Sequence, residues 1–351
     1  MELPQGSELQ AANLKKGVAA EALAIVLVNY NGWAHTIECL ESLLRSDRLG
    51  FPILVVDNAS TDDSVVQILA WAEGCLAAWV LPGNPHRTKV CPPVAKPLML
   101  RIVDDQFQDL EESVSDGRII LVKSSRNGGF GAGNNLGMNC ALSLNLKPDF
   151  FWLLNNDTVV GSDAVGIVLD ALTGGRRVWG TWLMEYAEPE VIQVIGGCRL
   201  TRFAKRSVPC RSIQEINRLD YIQGASMIFP TTFFREVGGF DQSIFMYYED
   251  PDICLSAREK GYSLDVIKAS VFHKGGVSSH SVRQWIWTYR HKFYVMHKHF
   301  GWKGWAVANG INLILVILSP FTDPAKRKAA KILLREGKFG TISSNKNQKT
   351  D

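Results

Sequence analysis

Four short apolar runs, each stopping abruptly in a polar turn, constrain this chain more than any other feature. They are Leu23 to Val28, Phe51 to Val56, Ile119 to Val122 and Phe150 to Leu154. Each is too short for a buried helix and rich in branched or aromatic residues, so each predicts a strand buried on both faces. Between them lie stretches of helical spacing, such as Ile37, Leu40 and Leu44, and the segment Asn134 to Leu146. Strand alternating with helix predicts an α/β fold with a mostly parallel central sheet flanked by helices. On such a sheet ligands bind beyond the carboxyl ends of the strands. The polar turns are therefore the place to look for chemistry.

With 351 residues, 46% hydrophobic and 21% charged, the chain can bury a large core. A formal charge of +3 is too mild to imply nucleic acid. Seven cysteines, with no C-x-x-C pair and several inside apolar runs, predict reduced and mostly buried thiols. Residues 1–22 lack an apolar signal core and read as a disordered tail. The proline-rich stretch 82–118 breaks the pattern and reads as an irregular insertion. Beyond Val160 shorter segments predict strands near Val178 to Met184, Val191 to Cys198 and Leu219 to Phe229, with helices after Thr231 and Asp250.

Five stretches carry candidate chemistry. Asp57 closes the second strand and either accepts a hydrogen bond from a uracil or thymine imide or serves as a turn residue; Ser60 or Thr61 is placed to cap the following helix. Gly128, Gly129, Gly131 and Gly133 open backbone to a phosphate, or merely make a flexible turn; their spacing fails the dinucleotide fingerprint. In Asn155-Asn156-Asp157, Asp157 offers a hard oxygen ligand for Mg²⁺ or Mn²⁺, or completes a polar turn. Glu249 and Asp250 precede Pro251 at a helix start, where a carboxylate can act as general base, or Asp250 caps the helix while Asp252 answers its dipole. His273, at a strand end before Gly275 and Gly276, is either a metal or diphosphate contact or a structural histidine, and Lys274 adds positive charge.

In this order the stretches VLVNYNG, VVDNASTD, NGGFGAGNNLG, LLNNDT, QGASMIF, REVGGFDQSIFMYYEDPDICLSAREKGY and FHKGGVSS resemble the family-2 glycosyltransferases of the GT-A fold, in particular their rhamnosyltransferase-like bacterial branch. The resemblance runs from about Ala24 to Ser279 and implies a transferase domain over 23–281, with a nucleotide half (23–160) and an acceptor half (161–281). It implies that Asp57 faces the base, and that Asn29, Asn127, Gly128, Gly129, Gly133, Asn134, Asn155 and Asn156 lie against the nucleotide sugar. It implies that Asp157 and His273 hold the metal, with Asn155 departing from the first aspartate of the family's D-x-D signature. Asp250, beside Glu249, takes the place of the catalytic base of an inverting displacement. The expected donor is dTDP-rhamnose or a UDP-hexose, and the expected acceptor a glycan or polyprenyl-linked hydroxyl in cell-surface polysaccharide synthesis. A catalytically silent binding protein of the same fold, or a nucleotidyltransferase, is the alternative.

Residues 282–351 read as a helical, basic and apolar extension. The run Trp305 to Phe321 is only 17 residues long and is interrupted by Asn309, Gly310 and Asn312. Lysines and arginines flank it on both sides. That pattern predicts contact with a cytoplasmic membrane leaflet through 285–331, or else a buried helix or a homodimer contact. A cytoplasmic protein peripheral to the inner face of the membrane is the resulting expectation.

Overall fold

The structure is a computed structural model that describes residues 18–78, 80–107, 119–201, 206–275, 281–305 and 323–336, apart from the side chains of 302–305. The four apolar runs become neighbours in one sheet: β1 (Leu23–Asn29), β2 (Ile53–Asp57), β4 (Ile119–Lys123) and β5 (Phe150–Asn155). The first half of the sheet runs in the order β3-β4-β2-β1-β5, all parallel, β3 being Leu100–Asp104. Register brings Asn29 level with Asp57, Asp57 level with Lys123, and Val28 level with Asn155. Polar residues thus end these strands in line, which is what positions the site.

Both faces of the sheet are covered. Leu23, Ile25 and Leu27 point into one core, Ala24 and Val26 into the other, following the two-residue period of a strand. The first core is closed by α1 (Trp33–Leu44), α2 (Ser64–Glu73) and α5 (Ala164–Ala171), through Leu40, Leu43, Trp71 and Val168. The second is closed by α4 (Phe130–Ser143), α6 (Thr231–Val237) and α7 (Glu249–Glu259), through Met138, Phe233 and Ile253. Each such side chain contributes about 1.5–3 kcal/mol when fully buried. Helix α4 lies close to the strands because a Cβ on Gly137 would come 2.6 Å from Val26 Cγ1.

The second half is mixed. It contains β6 (Thr158–Val160), β7 (Arg177–Glu185), β8 (Ile192–Ile195), β12 (Ser226–Pro230) and β13 (Ser263–His273). β12 runs antiparallel between β5 and β7, and β13 pairs parallel with β7 and antiparallel with β6. A small sheet of β9 (Gly197–Leu200), β10 (Ser207–Pro209) and β11 (Tyr221–Ile222) lies apart. The expected α/β architecture is present, with its parallel strands concentrated in the first half.

Three details differ from the sequence expectation. Helix α2 begins at Ser64, because Ser60 turns back to Asp57 and Asp62 Oδ1 takes the Ser64 N–H at 3.0 Å. Residues 18–22 are held on the domain, the Val18 N–H donating to the Leu169 carbonyl at 3.0 Å; residues 1–17 lie outside the described residues. The insertion contains a short helix α3 (Arg87–Val90) and the edge strand β3, while 108–118 lie outside the described residues. It is anchored on Glu41, a fully buried carboxylate that receives Trp71 Nε1 (2.8 Å), the Val94 N–H (2.8 Å) and Lys96 Nζ (2.9 Å). These three donors offset the cost of burying the carboxylate. All seven cysteines are free, five of them buried.

At the C-terminus α8 (Val282–Trp305), interrupted at Gly301, packs along α7, and α9 (Pro324–Glu336) rests on α8 through Tyr289, Phe293, Ala330 and Leu333. Most of the apolar run 305–321 lies outside the described residues. Among the described residues no helix is long and apolar enough to cross a membrane.

Candidate active site

A cleft of about 770 Å³ opens at the carboxyl end of β1 and β5. Its walls include Asn127, Gly129, Asn155, Asn156, Asp157, Glu249, Asp250 and His273, eight of the thirteen residues singled out from the sequence. Asn29, Asp57, Gly128, Gly133 and Asn134 are not on its lining. Asp57, 4% exposed, is occupied by Asn29 Nδ2 (2.9 Å), Ser60 Oγ (2.6 Å) and the Ser60 N–H (3.1 Å). Asn29 and Asn134 are buried, and a Cβ on Gly133 would meet Val28 Cγ1 at 2.8 Å. Asn29, Asp57, Gly133 and Asn134 stand behind the cleft wall, while Gly128 opens on a neighbouring hollow shared with Asn58 and Arg126.

The glycine-rich turn is fixed by a residue sequence reasoning missed. Asn58 donates its amide to Asn127 Oδ1 (3.0 Å) and to the Gly129 carbonyl (3.1 Å). Gly129 has φ of +86°, and a Cβ there would fall 1.8 Å from the Phe245 carbonyl oxygen. Only glycine satisfies both conditions. The Phe130 N–H donates to that same carbonyl at 3.2 Å, so the turn is stitched to the segment leading into Asp250.

That segment is strained. Tyr247 and Tyr248 both take positive φ, +68° and +73°. Two successive bulky residues in the left-handed region are a costly arrangement, of order 1–3 kcal/mol each. They turn the chain so that α7 starts at Glu249 with both carboxylates at the cleft. Asp250 Oδ2 accepts the Gly224 N–H at 3.3 Å, and Glu249 Oε2 is buried with no hydrogen-bond partner among the described residues. Burial raises both carboxyl groups, and for Glu249 the charge of Asp250 adds to it. Asp250 is thus a carboxylate of raised basicity, the property a general base needs. Helix α7 carries no side-chain cap, and Asp252 does more than answer its dipole. Its carboxylate, 2% exposed, binds Lys298 Nζ (2.9 Å) and His299 Nε2 (2.7 Å) on α8.

Across the cleft lining, Asp157 Oδ1 lies 3.4 Å from His273 Nε2. Burial alone would raise the Asp157 carboxyl, but the hydrogen bond and charge of His273, with His35 nearby, outweigh it and hold its pKa below the ordinary value. His273 Nδ1 lies 2.8 Å from Gln193 Oε1, an acceptor only, so Nδ1 carries a proton and Nε2 is the atom turned towards Asp157 and Asn155. Asn156 faces inward instead, its amide on Thr36 Oγ1 at 3.0 Å. Among the described residues no group of three or more histidine, cysteine or carboxylate side chains surrounds a metal position. One carboxylate and one oriented imidazole nevertheless suit a Mg²⁺ or Mn²⁺ ion that takes its remaining ligands from water and phosphate. His35, Tyr30, Gln223, Tyr248 and Trp285 also line the cleft. Tyr30, Gln223 and Tyr248 lie in stretches whose pattern pointed to the family, but no role was assigned to them.

Residues 101–293 match the model of glycosyltransferase like family 2, and residues 24–89 that of glycosyl transferase family 2. The chain belongs to the family-2 glycosyltransferases. A rhamnosyltransferase, WbbL of Escherichia coli (strain K12), is 35% identical over 79 residues, which make up 22% of this family-2 chain and 29% of that protein. Among solved structures, S. aureus TarS aligns over 90% of this chain and 44% of its own, with 14% identity and a TM-score of 0.46. The mannosyltransferase PcManGT from Pyrobaculum calidifontis, in complex with GDP-Man and Mn²⁺, aligns over 92% of this chain and 83% of its own, with 13% identity and a TM-score of 0.48. The chain therefore spans less than half the length of WbbL and of TarS.

Proposed function

We propose that this chain transfers a sugar from a nucleoside-diphosphate donor, dTDP-rhamnose or a UDP-hexose, to a hydroxyl of a glycan or lipid-linked acceptor, inverting the anomeric centre. The observation that carries the proposal is that Asp250 and Asp157, far apart in sequence, line one cleft at the carboxyl end of the sheet. Family membership supports transfer of a sugar, and the name of the rhamnosyltransferase relative favours the deoxyhexose donor.

Each wall has one task. Asp250, its basicity raised by burial, takes the proton from the acceptor hydroxyl as that oxygen attacks the anomeric carbon. The Gly224 N–H on Oδ2 keeps the other oxygen free to face the hydroxyl. Glu249 supplies a second polar atom for the acceptor. The glycine turn offers backbone to the nucleotide, with Asn127 beside it. Asp157 and His273 would hold a divalent cation, which supplies charge neutralisation for the departing diphosphate. Tyr247, Tyr248 and Trp285 give the aromatic surface on which a sugar ring can rest.

Contact with the cytoplasmic leaflet through 285–331 belongs to the same proposal, because the lipid-linked acceptor would be presented there. Asp250→Asn is the decisive variant. It is expected to lose roughly 10²–10⁴-fold in transfer while keeping donor binding, measured as product formation with labelled nucleotide sugars and as a thermal shift with dTDP and UDP. Near-normal turnover in that variant would overturn the assignment of the base. A wild-type protein that binds no nucleoside diphosphate would overturn the function.

A further inference from the structure

His35 connects the cleft to a second, smaller cavity of about 280 Å³, whose lining also includes Glu38, Asn84, Tyr186 and Lys274. A continuous polar chain runs behind it. Asn84 Nδ2 donates to the Tyr186 hydroxyl at 2.7 Å, and that hydroxyl donates to one oxygen of Glu38. The other Glu38 oxygen takes Lys274 Nζ, which also lies 4.6 Å over the Tyr186 ring. Lys274 Nζ is 2.8 Å from His35 Nδ1. An ammonium group only donates, so His35 Nδ1 must be the acceptor and the imidazole proton sits on Nε2.

The residues that fix this tautomer face away from the cleft, which leaves Nε2–H as the atom His35 can offer to a ligand. His35 stands in the first turn of α1, whose N-cap Gly32 lines the same cleft, and the amino end of a helix favours negative charge. It is also close enough to Asp157 for the two side chains to influence each other electrostatically. We propose that His35 hydrogen-bonds through Nε2–H to the terminal phosphate of the nucleoside-diphosphate donor, and that Lys274, Glu38 and Tyr186 are positioning residues that hold its ring. The proposal rests on the transferase function above and adds a donor contact to it. It also gives the insertion a task, since Asn84 and the ring of His86, 2.8 Å from the Tyr186 carbonyl, both hold Tyr186 in place.

The test is calorimetric binding of dTDP and dTMP, and of UDP and UMP, in the presence of Mn²⁺, for wild type, His35→Ala, His35→Gln and Lys274→Met. His35→Ala is expected to weaken the diphosphates by roughly tenfold or more and leave the monophosphates unchanged, because only the diphosphates carry the contacted group. His35→Gln, which restores an N–H at similar reach, should recover most of that loss, and Lys274→Met should reproduce part of it. Equal diphosphate affinity in wild type and His35→Ala, or equal losses for mono- and diphosphates, overturns the proposal while leaving the transferase function standing. Failure of wild type to bind either diphosphate overturns both.

Discussion

His291 on α8 donates Nδ1–H to the carbonyl oxygen of Met246 at 2.7 Å, immediately before the strained Tyr247–Tyr248 turn. The C-terminal helix therefore grips the backbone that aims Asp250. Trp287 adds a ring contact to Phe245 at 4.8 Å, and Lys298 and His299 add the ion pairs to Asp252. A strained turn persists only where its surroundings over-determine it. His291→Ala removes one of those restraints. The expected result is a loss of kcat by roughly 10–100-fold with little change in donor KM, since small misplacements of a reacting group are costly. Steady-state kinetics with varied donor would check it, alongside a stability loss of only about 1 kcal/mol in a denaturant melt.

Gly129→Ala tests the other side of the same seam. The new Cβ would meet the Phe245 carbonyl at 1.8 Å in a backbone region that side chains rarely adopt. Backbone on both sides leaves no flexible atom to yield. The variant is expected to lose on the order of 1–3 kcal/mol or more of stability and to bind nucleoside diphosphate poorly. A denaturation midpoint unchanged from wild type would contradict the close approach.

His299 makes stability depend on pH. Burial alone would lower its pKa, but hydrogen bonds to Asp252 (2.7 Å) and Glu259 (2.8 Å) outweigh it and raise it above the ordinary value of about 6.5. For a histidine held protonated in the folded state, the stabilisation is complete below the unfolded pKa and is lost as pH rises through the folded one. Urea midpoints measured from about pH 5 to about pH 9 should therefore fall on the alkaline side, and His299→Asn should flatten that slope.

The chain announces its frame more clearly than its joints. Leu23 to Val28 and Phe150 to Leu154 are legible because buried strands need unbroken apolar runs, and the turns after them are polar because strand ends meet solvent and ligand. Asp157 and His273 stand at or just beyond such ends and Asp250 in the first turn of α7, and all three line the cleft. Asp57 stands at an equivalent end, yet Asn29 and Ser60 occupy it; the turn to Ser60 is the local alternative the sequence offered, whereas the pairing with Asn29 is not visible in the local pattern. His35 and Gln193 lie outside the stretches that resemble the family, and Asn58 lies inside one without a role being legible, because its partners Asn127 and Gly129 are distant in sequence. Edge strand β3 was hidden by flanking prolines, and the role of α8 was hidden because its aromatic and basic residues suit a membrane surface as well as a protein face.

Removal of metal ligands gives a separate expectation. Asp157→Asn keeps the size of the side chain and removes the charge a hard cation needs. The Mn²⁺-dependent part of the thermal shift produced by UDP or dTDP should disappear in this variant, while any metal-independent part remains. His273→Gln should weaken the same response less, because the carboxylate is the stronger ligand.

The pH dependence of transfer follows from the burial of Asp250. Only its deprotonated form can accept the acceptor proton, so the rate falls as pH drops through its pKa in the enzyme. Enclosure by protein raises that pKa, and the Gly224 N–H on Oδ2 lowers it by less, so the net shift is upward. The acid limb of kcat/KM is therefore expected well above the ordinary carboxylate value of about 4. In Asp250→Glu the base is kept but displaced by a methylene, so residual transfer should retain an acid limb at reduced rate. In Asp250→Asn any residual transfer should lose it. A wild-type profile that stays flat down to about pH 5 would show that a group other than this buried carboxylate takes the proton.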